Sequence, residues 1–67
     1  MDFEQVYKLY FKDVYTFLYG LSQNKAVAED ITQDTFLKAI KNIHTFDGQK
    51  DIKAWLFTIA RNTYYTE

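Results

Sequence analysis

Apolar side chains recur every three or four residues along the first third of the chain, at Phe3, Tyr7, Tyr10, Val14, Phe17 and Leu21. That spacing puts all six on one face of an α-helix and does not fit the two-residue alternation of a strand. Little interrupts the helical pattern further on, because the chain has no proline and only two glycines. The periodicity predicts a first helix over residues 2–21. "SQNKA" (22–26) breaks it, and Asn24 is placed to cap the next helix.

A second helix is expected over residues 25–44. At about 100° per residue, Ala28, Ile31, Thr35, Ala39 and Ile43 share one face. Asp30, Gln33, Asp34, Leu37 and Lys41 share the opposite face, with Phe36 and Ile40 on the flanks. "TFDGQK" (45–50) reads as a loop, with Asp-Gly as its turn signal. Asp51 caps or begins a third helix, where its charge suits the helix dipole. Ile52, Trp55, Leu56, Ile59 and Thr63 line the inner face of that helix. Trp55, Thr58 and Asn62 form a second stripe along its edge. "ARNTYYTE" (60–67) is still helical in pattern where the sequence stops. The expected fold is therefore all-α, a compact three-helix bundle, with the third helix truncated and the chain a fragment of a longer protein.

Sixty-seven residues allow one small domain, which buries only about 60% of its unfolded-chain surface. An apolar share of 48% is enough to build its core. The lack of cysteine excludes disulfides and thiolate chemistry, and one histidine does not make a metal site, so no cofactor is expected. No run of about 18 apolar residues occurs, so membrane insertion is not expected and a cytoplasmic location fits. The net charge of −1 differs from the basic balance usual in nucleic-acid-binding domains. A nucleic-acid role would have to rest on a local patch, on stacking, or on a partner's charge.

Catalysis finds little support. Glu29, Asp30 and Asp34 are carboxylates, but residues 29 and 30 diverge by about 100° on a helix. His44 has no nucleophile or orienting carboxylate beside it in the pattern. Two segments leave alternatives open. The face of Asp30, Gln33 and Asp34 reads either as solvated helix surface or as a contact site, and Leu37 beside it favours contact. The loop around Phe46 reads either as a plain connector or as a nucleobase site. An aromatic ring can stack on a base and an amide such as Asn62 can read its edge.

The stretch "AEDITQDTFLKAIKNIHTFDGQKDIKAWLFTIARN" (28–62) strongly resembles region 2 of the extracytoplasmic-function (ECF) sigma factors, the small alternative initiation factors of bacterial RNA polymerase. The family pattern runs A-E-D-hydrophobic-x-Q-[DE]-x-F-hydrophobic-x-A, then a short loop with Phe, then W-L-hydrophobic-x-I-A-x-N. The match is close over residues 26–62, and the first helix fits the family's looser opening segment. The resemblance implies a sigma region 2 bundle spanning residues 1–67, without enzymatic activity. It implies docking of the second helix on the β′ clamp helices of the polymerase core. Asp30, Gln33 and Asp34 would make the polar contacts there, and Phe36 and Leu37 would add apolar area.

By the same resemblance, the following loop would capture a base flipped from the nontemplate strand of the promoter −10 element. Phe46 would stack on it or wall the pocket, Asn62 would hydrogen-bond to it, and Ile59 would supply the floor. Asp47, Gly48, Gln49 and Lys50 would shape the loop, with Lys50, Lys53 and Arg61 near phosphates. An anti-sigma protein is an implied partner. The family usually continues into a basic helix end, a linker and a second domain that reads the −35 element, and these are absent from the sequence. The alternative is a helical interaction module that binds polymerase or an anti-sigma protein and does not recognise promoters.

Overall fold

The computed structural model describes residues 2–66. Three α-helices follow one another: α1 (Phe3–Ser22), α2 (Lys25–Lys41) and α3 (Ile52–Thr66), with a 3₁₀ turn at Ile43–Thr45 before the last. Side chains chosen for the task cap each start. The Asp2 carboxylate accepts the Glu4 N–H at 3.0 Å, Asn24 Oδ1 accepts from Val27 at 3.0 Å, and Asp51 accepts from Lys53 at 2.9 Å. Each satisfies a donor that the first turn leaves open. Between α1 and α2 the chain turns through Gln23, whose φ of 56° is left-handed. Its N–H closes α1 on the Tyr19 carbonyl at 2.8 Å.

The second helix ends three residues earlier than its apolar pattern predicts. Asn42 is the cause. Its N–H is shared between the Lys38 and Ala39 carbonyls, and its Nδ2 donates to the Lys38 carbonyl at 2.8 Å. Asn42 thereby uses up the carbonyls of the last turn, as short polar side chains do where they compete with the helix ladder. Ile43, expected on the buried face of α2, lies instead half-buried in the 3₁₀ turn.

The core is aliphatic at its centre. Val6, Val14 and Leu18 of α1, Ala28, Ile31, Phe36 and Ala39 of α2, and Leu56 and Ala60 of α3 are buried. Of the apolar stripe expected on α1, only Val14 is fully enclosed. Phe3, Tyr10, Phe17 and Leu21 are half-buried and Tyr7 is exposed. Three short helices meet along a narrow axis, and of the large rings only Phe36 is buried, while the other described rings lie around the edge or outside. Phe17 accordingly stacks on Phe57 of α3, with centroids 4.8 Å apart. Trp55 is likewise half-buried at the edge.

Three threonines complete the interior. Thr32 and Thr35 donate to carbonyls four residues back, at 2.6 and 2.7 Å, so their hydroxyls need no partner from another helix. Thr63 accepts from Lys38 Nζ at 3.2 Å, which ties α2 to α3. Tyr64 donates its hydroxyl to the Leu21 carbonyl at 3.3 Å, and Lys53 pairs with Asp13 at 3.3 Å; both tie α3 to α1.

Gly20 sits in the exposed last turns of α1 with a negative φ, and a Cβ there would meet nothing within 4 Å. Its glycine costs helix entropy and serves no close approach. Gly20→Ala is expected to stabilise the domain by about 0.5–1 kcal/mol. A thermal melt should register this as a rise of about 4–8 °C per kcal/mol. A melting point equal to or below that of the wild type would contradict the expectation.

Candidate functional site

Two surfaces flank α2. On its outer side, Asp30, Gln33 and Leu37 form an exposed ridge, with Asp34 half-buried beside it. Among the described residues neither Asp30 nor Asp34 makes an ion pair. Toward α1 the ridge falls into an open groove of about 480 Å³. Gln33, Leu37 and Ile40 form one wall, Phe3, Glu4 and Tyr7 the other, and Phe36 the floor. Leu37 is 57% exposed and Ile40 49%, large values for apolar side chains on so small a domain.

Phe36 corrects the expectation placed on it. It is 3% exposed, with Tyr7, Phe11 and Phe3 around it at ring separations of 5.0, 6.1 and 6.3 Å. Its flank position on α2 faces α1, so it belongs to the core and offers a partner only the bottom of the groove. Conversely, Phe3, Tyr7 and Ile40 belong to this surface and were not expected there. Their signal in the sequence was periodicity alone, which does not distinguish a core ring from one that overhangs a groove.

The other surface lies between the end of α2, the 3₁₀ turn and α3. It is a cleft of about 270 Å³. Trp55, Ile59 and Asn62, one helix turn apart along α3, line one side. Lys38, Asn42 and Thr45 line the other, and Thr63 and Thr66 complete the α3 side. Phe46, on the loop that follows the turn, packs against Trp55 with ring centroids 5.1 Å apart and planes tilted by 46°. Four expected or neighbouring residues, Phe46, Trp55, Ile59 and Asn62, are thus brought together.

The loop itself is shaped by Asp47. Its carboxylate accepts the Gln49 N–H at 3.0 Å and its carbonyl accepts the Lys50 N–H at 2.9 Å. This Asx turn explains the Asp-Gly signal without any left-handed glycine, since Gly48 has no positive φ. Gly48, Gln49 and Lys50 are exposed at the loop.

Lys53 is not part of the cleft. It lies about 160° around α3 from Trp55. There it pairs with Asp13 at 3.3 Å, with its Nζ 5.7 Å from the Phe57 ring centroid. Lys53 was expected near phosphates; it lies on the side of α3 that faces α1, away from the cleft residues. Arg61 is exposed next to Asn62 but does not line the cleft. Lys38, Asn42, Thr45 and Thr66 do line it and were not expected there. Only the meeting of three elements assembles them.

These two surfaces can bind, one apolar with an acidic and amide rim, the other an aromatic-walled slot with amides and hydroxyls. The family model for sigma-70 region 2 matches residues 6–67. The chain belongs to this family. Its relatives narrow the type to region 2 of an ECF RNA polymerase sigma factor. The ECF RNA polymerase sigma factor SigM of Bacillus subtilis (strain 168) is 42% identical over 64 residues, which cover 96% of this chain and 39% of SigM. The ECF RNA polymerase sigma factor BldN of Streptomyces coelicolor is 48% identical over 61 residues, 90% of this chain and 23% of BldN. SigX of B. subtilis is 35% identical over 60 residues, 90% of this chain and 31% of SigX. The region 2 domain thus spans well under half the length of the curated relatives it matches. No solved structure matches it. The family is non-enzymatic, and the three-helix arrangement is the sigma region 2 type. No described helix is long and apolar enough to cross a membrane.

Proposed function

We propose that this domain acts in transcription initiation by docking on the RNA polymerase core and trapping an unpaired promoter base. The outer ridge of α2, with Asp30, Gln33, Asp34 and Leu37, rests on the β′ clamp helices. The groove beside it receives apolar side chains of the same partner. The cleft between α2 and α3 takes a base flipped from the nontemplate strand of the −10 element. Trp55 walls it, Phe46 stacks on it from its place beside Trp55, Ile59 gives an apolar floor, and Asn62 a hydrogen-bonding amide. Exposed Lys50 and Arg61 lie near enough to the loop and cleft to meet the phosphates.

The observation that carries the reading is the cleft. A helix aromatic, an aliphatic and an amide line it at Trp55, Ile59 and Asn62, and the loop aromatic Phe46 packs on Trp55 beside it. The chemistry needs no bond making or breaking. Unstacking and unpairing a base costs a few kcal/mol, and a pocket that stacks it returns about 1–3 kcal/mol. Duplex opening follows from holding the open form. The polymerase supplies the positive charge that this near-neutral domain lacks. Reading of the −35 element falls to a second domain outside this chain. An anti-sigma protein covering either surface silences the domain, and the site of action is the cytoplasm.

Docking is tested by Gln33→Ala combined with Asp34→Ala. The double variant should bind core polymerase about five- to thirtyfold more weakly, the loss of one or two interface contacts worth about 1–2 kcal/mol in all. Helicity by circular dichroism should be unchanged, because both side chains lie outside the core. Equal affinity for the two proteins, measured by titration of labelled domain with core enzyme, would remove the ridge from the proposal.

A further inference from the structure

The ridge of α2 carries a charge order that the helix dipole does not explain. Acids suit the first turn of a helix and bases the last. The first turn of α2 holds no acid and starts with Lys25, whereas Asp30 and Asp34 sit at mid-helix. Lys41 closes the helix. A partner for Asp34 stands four residues on, at Lys38, but that amine turns to Thr63 instead. Among the described residues Asp34 and Lys41 make no ion pair.

Asp34 and Lys41 are seven residues apart and so point within about 20° of each other. Leu37 stands between them, about 4.5 Å along the axis from Asp34 and about 6 Å from Lys41. Leu37 and Ile40 turn toward the groove and are 57% and 49% exposed. Over two turns the face reads acid, aliphatic, base, with an apolar groove along one side.

We propose that this face seats a second copy of the same chain, its α2 antiparallel to the first about a two-fold axis at Leu37. A two-fold interface presents one patch to itself, so the patch must be self-complementary. Reversing the helix direction exchanges the acidic and basic ends. Asp34 of each copy then lies opposite Lys41 of the other, and both pairs form at once. Leu37 meets its own copy at the axis, and each Ile40 overhangs the other groove, toward Tyr7 and the Phe36 floor. A parallel pair would set Asp34 against Asp34 and Lys41 against Lys41, which like-charge repulsion opposes. A standard interface of about 800 Å² per partner would take about a sixth of the 4649 Å² surface of this domain. One helix face and its groove give less, so the pairing is weak, with a dissociation constant of about 1–100 μM. The pairing does not depend on the polymerase reading. It covers the same ridge, so by that reading only a single copy enters the core enzyme.

The experiment follows full-length protein by sedimentation velocity across the micromolar range. Wild type should pass from monomer to dimer. Asp34→Lys and Lys41→Asp should each weaken self-association by about tenfold or more, since each sets like charges opposite one another twice. An equimolar mixture of the two variants should pair as wild type does, and so should a chain that carries both substitutions. Each of these restores two opposite-charge contacts. Leu37→Asp should remain a monomer. Far-ultraviolet circular dichroism of every variant should match wild type, because these side chains lie outside the core.

A wild type that stays monomeric throughout would overturn the proposal and leave the face to a different partner. A dimer that both single variants form as tightly as wild type would be held by another surface, and would overturn it too. So would a mixture of the two variants that fails to pair. Core polymerase is added last. Uptake of the dimer intact would remove the ridge from the docking reading and leave the pairing standing.

Discussion

Leu56→Ala is expected to leave the domain largely unfolded at physiological temperature. Leu56 is fully buried in the first half of α3, among the core aliphatics of α1 and α2. Truncation removes its transfer free energy and leaves a cavity that three short helices can close only in part. The usual cost is about 2–5 kcal/mol. At about 0.05–0.15 kcal/mol per residue, 67 residues carry only about 3–10 kcal/mol of stability. The substitution thus consumes much or all of the margin. Urea titration followed by far-ultraviolet circular dichroism measures it directly. Leu56→Met keeps the volume and should cost less than about 1.5 kcal/mol. Leu37→Ala, on the exposed ridge, should stay within about 0.5 kcal/mol of wild type. A Leu56→Ala midpoint equal to that of wild type would show that α3 does not seat in the core as described.

The second large effect is expected on promoter opening. Phe46→Ala and Asn62→Ala should each reduce it, and each should spare binding to core polymerase, since both lie on the cleft side of α2 and away from its ridge. The stacking contribution bounds the Phe46 loss at about 1–3 kcal/mol, roughly ten- to a hundredfold. The two losses should combine to less than their product, because residues that share one ligand couple. Phe46 also covers Trp55, at 5.1 Å between centroids, so its removal exposes a second ring. Phe46→Leu separates the two roles: it keeps an apolar cover on Trp55 and loses most of the flat stacking face. Opening by Phe46→Leu should therefore fall nearly as far as in Phe46→Ala. Permanganate footprinting of the melted region, at fixed holoenzyme concentration and salt, reports the unpaired thymines. Full opening in the double variant would exclude the cleft as the base site and would leave a helical interaction module as the better account.

Much of the fold was legible because its signals are local. Asn24 announced α2, since a short polar side chain before a periodic run has one good use, and Asp51 did the same for α3. The end of α2 was not legible. Its apolar pattern continues through Ile43, and only the competition of Asn42 for carbonyls stops the helix. The core was half legible. Val14 and Leu56 lie on the stripes, whereas Val6 and Leu18 show that the true axis of α1 is shared between two neighbours. The burial of Phe36 was not legible, because a helix pattern tells which residues share a side, but not which side another helix will take. In the candidate site, residues near one another in sequence were found, from Phe46 to Asn62. Lys38 and Asn42 were not, because nothing in α2 alone shows that α3 returns alongside them.

Both surfaces are carried by one unbroken helix, α2, and this fixes a distance. Gln33 on the ridge and Lys38 on the cleft are five residues apart, about 7.5 Å along the axis. They also differ by about 140° in direction, and no loop lies between them to absorb strain. In the proposed complex α2 therefore acts as a ruler. The gap between polymerase and captured strand is built into the pitch of the helix, and is reproduced each time the domain folds.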